Sequence, residues 1–144
     1  MACPGTVDVT HRIEFDPLRQ LAVVHYQGDV LPEEPAELLL ELVAKPGWTP
    51  RCDRIVVYDD AEIGELTAAR FKQVAASLQP IIAQYYGPAP NFSAQVCGNP
   101  LKRGMLEYWI ALGSSVYSPP MSLFETQTEA ETWLAQQRAA LGTS

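Results

Sequence analysis

From Phe92 to Leu141 the chain reads strand, helix, strand, helix, over Phe92–Cys97, Pro100–Leu112, Met121–Phe124 and Thr128–Leu141. Strands joined by helices of this length run parallel, because a parallel pair needs a long crossover. This alternation therefore demands an α/β fold with a largely parallel sheet. In such folds ligands collect beyond the carboxyl ends of the strands.

The first half extends the pattern. Val9, His11, Ile13 and Phe15 share one face of a run whose other face carries Thr10, Arg12 and Glu14, which is strand periodicity. Asp16-Pro17-Leu18-Arg19 is turn chemistry, and Gln20–Gly28 is the returning strand. Its Leu21-Ala-Val-Val core is apolar on both faces, so both faces are covered. Pro32-Glu33-Glu34-Pro35 opens a helix with a stripe of Leu38, Leu39, Leu42 and Val43. Ile55–Tyr58 is a central strand. Leu66, Phe71, Val74, Ala75, Leu78, Ile81, Ile82 and Tyr85 form one face of a long second helix. Pro80 inside it predicts a kink or restart at Gln79. Asn99 and Pro100 start the third helix, with a stripe of Leu101, Met105, Tyr108, Trp109 and Leu112. Thr128-x-x-Glu131 is a capping box for the last helix, which buries Ala130, Trp133, Leu134 and Leu141 and stops before Gly142. The expected order is ββαβαβαβα: a mixed, mostly parallel five-stranded sheet with an N-terminal β-hairpin and four helices. Residues 1–8 are expected to be a loose arm, and 9–142 one domain.

Composition agrees. A chain of 144 residues, 47% hydrophobic and 19% charged, is long enough to bury about two-thirds of its unfolded surface. Its net charge of −7 repels phosphate backbones and argues against nucleic acid. No apolar run approaches the roughly 18 residues of a membrane span. The opening Met1-Ala-Cys-Pro-Gly-Thr lacks the basic-then-apolar order of a signal peptide. Cys3, Cys52 and Cys97 are too few and scattered for a disulfide framework or a zinc knuckle, which favours a reducing cytoplasm. Cys97 reads as a small buried hydrophobe.

Two groups of residues stand out near strand ends. Asp59, Asp60 and Glu62 follow the central strand, where carboxylates can hold a hard cation. No Gly-punctuated ligand spacing accompanies them, so a solvated loop is the favoured reading and no metal is expected. Lys102 and Arg103 occupy the first turn of the third helix, opposing its dipole at about 0.3–1 kcal/mol each. With Asn99 and the backbone N–H groups of Gly98–Gly104 they could hold an anion or an acidic partner. The alternative, which is favoured, is a salt link to Asp59 or Asp60. His11 and His25 fall on opposite sheet faces when Phe15 faces Gln20 and His11 faces Val24, so they form no metal pair or catalytic dyad. No Ser or Cys stands in a nucleophile elbow. No catalytic residue and no cofactor are expected.

Ile55-Val56-Val57-Tyr58-Asp59, the strand Ala94-Gln-Val-Cys-Gly98 and the closing Thr128-Glu-Ala-Glu-Thr-Trp-Leu134 carry a resemblance to the SpoIIAA-like proteins, a STAS-related group of small bacterial domains. It covers about Arg12 to Leu134. It implies a non-enzymatic regulatory module that works through a protein partner or as a homo-oligomer. Members related to anti-sigma-factor antagonists carry an Asp-Ser-Ser-Gly-like segment whose Ser is phosphorylated. The matching stretch here is Asp59-Asp-Ala-Glu-Ile-Gly-Glu-Leu-Thr67, with no Ser. Thr67 is the nearest hydroxyl, and a phosphate there would face like charges, so a phosphorylation switch is not expected. The group is also similar in outline to the CRAL-TRIO lipid-binding proteins. With Tyr85, Tyr86, Tyr108, Trp109, Tyr117 and Trp133 concentrated in the second half, a small apolar ligand is the alternative to a partner. A large closed apolar cavity would favour the ligand, and a flat apolar patch the partner.

Overall fold

In a computed structural model of the chain, residues 11–31, 33–62, 67–113 and 121–142 are described. Two strands, β1 (His11–Asp16) and β2 (Leu21–Asp29), pair antiparallel. Then follow α1 (Glu34–Val43), β3 (Asp53–Glu62), α2 (Ala68–Tyr85), β4 (Ser93–Val96), α3 (Pro100–Gly113), β5 (Met121–Phe124) and α4 (Gln127–Gly142). The sheet order is β1-β2-β3-β4-β5, with β2 to β5 parallel. The expected order of elements is the observed one. The N-terminal arm, Val9, Pro32, Leu66 and Tyr117 lie outside the described residues, and so does the side chain of Leu112.

Sequential strand order has a consequence. Each crossover steps to the next strand in the same direction and with the same hand, so its helix lands on the same face. α1 packs on α2 and α2 on α3, while α4 alone covers β3, β4 and β5 from the other side. Side chains alternate between the two cores. Val24, Tyr26, Val56 and Tyr58 face the three-helix layer with Val74, Leu106 and Trp109. Leu21, Val23, Ile55, Ala94 and Val96 face α4, against Ala130 and Leu134. This is why Leu21–Val24 is apolar on both faces.

The hairpin register differs from expectation by two residues. Phe15 pairs with Ala22 and His11 with Tyr26. Gln20 leaves the strand for a left-handed backbone conformation (φ 49°). Its side chain pins the turn to the α1–β3 connection: Nε2 donates to Pro17 O and Gly47 O, and Oε1 accepts from Thr49 N and Thr49 Oγ1. Asp16 Oδ1 accepts from Leu18 N and Arg19 N and completes the turn. A two-residue slip preserves the face of every side chain. His11 and His25 therefore still point to opposite sides.

Three helices depart from the sequence reading. α2 does not restart at Gln79 but runs unbroken through Pro80. Pro80 removes only one N–H, and Val74, Ala75 and Ile82 anchor the turns on either side. In α4 the capping box is Thr126-x-x-Glu129, not Thr128-x-x-Glu131. Thr126 Oγ1 accepts from Glu129 N, and Glu129 Oε1 accepts from Thr126 N and Glu125 N. α4 also runs through Gly142, and Leu141 is exposed rather than buried. In α3 Trp109 of the expected stripe is buried, together with Leu106, which the stripe did not include, whereas Leu101, Met105 and Tyr108 are exposed. The helix has two apolar faces, and the one presented to the core is centred on Leu106 and Trp109 rather than on Leu101, Met105 and Tyr108.

Candidate functional site

The carboxyl ends of β3 and β4 and the start of α3 meet as the sequence suggested, with different bonding. Asn99 caps α3, its Oδ1 accepting from Leu101 N (3.0 Å) and Lys102 N (3.2 Å). Asp59 Oδ1 accepts from Gly98 N at 2.7 Å. A Cβ on Gly98 would sit 3.4 Å from that oxygen and 3.7 Å from Glu125 O, at ordinary van der Waals contact. Lys102 Nζ donates to the backbone carbonyl of Asp59 at 3.2 Å, not to its carboxylate. Arg103 leaves Asp59 and Asp60 aside and pairs with Glu125 at 3.4 Å. Both cations are thus offset from within the chain. Asp59, Asn99, Lys102 and Arg103 form one cluster with Glu125. Asp60 and Glu62 are exposed at the end of β3. Thr67 is occupied at its own helix, where its Oγ1 caps α2 by accepting from Arg70 N at 3.2 Å.

Among the described residues no group of three or more His, Cys, Asp and Glu is placed to hold a metal ion. No described helix is long and apolar enough to cross a membrane. His11 lies between two carboxylates of α1, with Nε2 3.0 Å from Glu41 and Nδ1 3.8 Å from Glu34. His25 lies 3.5 Å from Glu14 on the opposite face. Burial pushes the Cys52 thiol up to about 12, which removes it as a nucleophile at neutral pH.

A second feature lies under the helix layer. A cavity of about 100 Å³ sits between the sheet and α1, α2 and α3, walled mainly by apolar and aromatic side chains. Phe71 and Trp109 stack at 5.3 Å on its roof, and Tyr26 and Tyr58 lie 5.5 Å apart along its floor. Burial, with Tyr58 and Glu34 nearby, holds the Tyr26 phenol well above its usual range. Arg54, Ser93 and Gln95 also line the cavity, and all three are buried. Arg54 donates to Asn91 Oδ1 at 2.8 Å and lies over the Tyr86 ring, and Gln95 Nε2 donates to Ser93 Oγ at 2.7 Å. The sequence reading passed over these residues. Ser93, Gln95 and Cys97 alternate with Ala94 and Val96, so β4 turns a more polar face toward the helix layer. That alternation was the available signal.

No family model matches the chain, and no curated protein or solved structure matches it either.

Proposed function

We propose that the chain is a non-enzymatic, SpoIIAA/STAS-like interaction module of the cytoplasm, engaging a protein partner through the outer face of α3. The supporting observation is the exposure of Leu101 (83%), Met105 (40%) and Tyr108 (56%). Their i, i+4, i+7 spacing aligns them on one side of the helix. Contiguous exposed apolar surface of this kind marks interaction sites. An amphipathic helix of another protein fits such a face. A second copy of this chain fits less well, because two bodies of net charge −7 repel. The free, buried thiols of Cys52 and Cys97 accord with a reducing compartment.

A photo-cross-linking residue in place of Met105, introduced in the native host, tests this reading. The same residue in place of the exposed Gln136 on α4 is the control. The expected result is one heterologous adduct from position 105, absent from position 136 and lost when Leu101→Glu is added. Leu101 is exposed, so that change should alter stability by no more than about 0.5 kcal/mol. A homodimer adduct, or equal products from both positions, would sink the proposal. The second reading, a carrier or sensor of a small apolar ligand, is favoured by the cavity under the helix layer.

A further inference from the structure

We propose that this cavity binds a small neutral carbonyl compound of about four non-hydrogen atoms, a short ketone or aldehyde whose oxygen accepts from the Tyr26 hydroxyl. The inference rests on the second reading above and is independent of the α3 surface.

Size sets the first limit. An apolar cavity of roughly 150 Å³ holds benzene. In proportion, the volume of about 100 Å³ here holds about four non-hydrogen atoms. Lipid tails and aromatic rings are excluded.

Tyr26 supplies the recognition. It lines the cavity and is 4% exposed. Among the described residues none hydrogen-bonds its hydroxyl. Buried polar groups are nearly all paired, so a phenol in this position calls for a partner. Burial, helped by Tyr58 and Glu34, keeps the proton on the oxygen. The group is therefore a donor, and the guest must offer an acceptor. The other polar groups of the wall are engaged elsewhere or with one another. Arg54 donates to Asn91 Oδ1 and lies over the Tyr86 ring, and Gln95 Nε2 donates to Ser93 Oγ.

Charge narrows the class. An anion would meet the field of Glu34 beside Tyr26, and a cation would meet Arg54 in the wall. Either would also lose its water against apolar side chains. A hydroxyl guest brings a hydrogen that needs an acceptor of its own, whereas a carbonyl oxygen needs only the one donor. Val74, Leu106 and Trp109 line the cavity and belong to the same core cluster as Tyr26. The alkyl groups of the guest rest on them.

The experiment uses three probes of matched size on the full chain: acetone, acetate and trimethylammonium. Each is titrated by NMR to about 50 mM, because so small a guest binds at best in the range of tens of micromolar and more often near millimolar. The expected result is that acetone binds at least about tenfold more tightly than either ion, with nuclear Overhauser contacts from its methyl groups to the Trp109 indole and the Phe71 ring. Tyr26→Phe should weaken acetone about three- to tenfold, the loss of one neutral hydrogen bond. Tyr85→Phe, a phenol outside the cavity, should leave its affinity unchanged. Should Tyr26→Phe fail to fold, the three probes and the contacts on the wild-type chain decide. An ion bound as tightly as acetone, contacts to the exposed Tyr108 instead, or full affinity in folded Tyr26→Phe would overturn the proposal. Xenon, which enters apolar cavities without hydrogen bonding, is run alongside. Xenon bound without acetone overturns the carbonyl assignment and leaves the second reading standing, whereas binding of neither overturns both.

Discussion

The guanidinium of Arg138 grips the carboxylate of Asp53 through two hydrogen bonds, Nε to Oδ2 at 2.9 Å and NH2 to Oδ1 at 2.7 Å. The same guanidinium donates to Arg51 O and Pro90 O and lies over the Phe92 ring. Asp53 Oδ1 also accepts from Phe92 N. One pair thus ties the second half of α4 to the start of β3 and to the segment entering β4. The Asp53 side chain is 8% exposed and that of Arg138 25%. Removing the cation leaves a nearly buried carboxylate without its main partner. Arg138→Ala is expected to cost about 2–4 kcal/mol in urea denaturation. Arg138→Lys should recover less than half of that, because an ammonium cannot reproduce the fork. A loss below about 0.5 kcal/mol would show that the clamp contributes little.

Lys102 and Arg103 lead to a smaller expectation. Their charges oppose the α3 dipole, but Lys102 reaches Asp59 O and Arg103 reaches Glu125. Glu125 is 65% exposed, so its pairing is weak. The double change Lys102→Gln/Arg103→Gln should lower stability by about 0–1 kcal/mol, and by less at high salt. A clear rise in melting temperature would mean that relief of the dipole clash outweighs these contacts, and that the cations are kept for a ligand.

Leu101→Glu separates stability from binding. The change should leave the urea midpoint nearly fixed, because Leu101 touches little of the core, while erasing the cross-link from position 105. A large drop in midpoint would place Leu101 in the core instead.

The order of elements was legible because period-2 and period-3.6 runs alternate without ambiguity of type. What escaped were choices between equivalent local patterns. Thr126-x-x-Glu129 and Thr128-x-x-Glu131 are the same capping box two residues apart, and the end of β5 at Phe124 selects the earlier. α3 carries two apolar faces, and only its packing against α2 and β5 decides which is buried. The hairpin register slipped because Gln20 makes four hydrogen bonds to residues on both sides of it, two of them to Thr49, a partner 29 positions away. The meeting of Asp59 with the α3 start followed from strand adjacency, but the bonds themselves did not: Lys102 takes a carbonyl and Arg103 takes Glu125. Arg54 and Gln95 were invisible as cavity residues, since a charge before an apolar run reads as a strand end. Their burial depends on helices that arrive from elsewhere in the chain.

Thr67 is a cap, and its chemistry follows from that. Thr67→Ala should destabilise the chain by about 1 kcal/mol, while Thr67→Ser should change it by only a few tenths, because both hydroxyls accept from the N–H of Arg70. Neither change should alter the α3 cross-link. Phospho-Thr67 in cells, together with a changed adduct in Thr67→Ala, would reverse this view.

Alkaline pH offers a test of the buried core. Cys52 is fully buried, its Sγ donating to Asp53 O at 3.4 Å, and burial lifts the thiol from 9.0 to about 12. Burial also holds the Tyr26 phenol well above 10.0. Well below pH 9 both groups keep their protons almost entirely whether the chain is folded or not, and they add little pH dependence. Above it the unfolded chain ionises first and the folded chain does not, so the unfolded state gains and stability falls. The fall for one such thiol is about 1.4 kcal/mol per pH unit, until the folded group titrates near pH 12. Urea midpoints measured from pH 8 to pH 11 should therefore decline. Cys52→Ala should start less stable, because it opens a small cavity, yet decline less steeply. Tyr26→Phe should flatten the upper part of the curve. In the native chain at pH 8, Cys52 should also resist iodoacetamide and become reactive only in denaturant. A midpoint independent of pH over this range, or rapid alkylation of native Cys52, would show that the thiol is not held in the way the structure depicts.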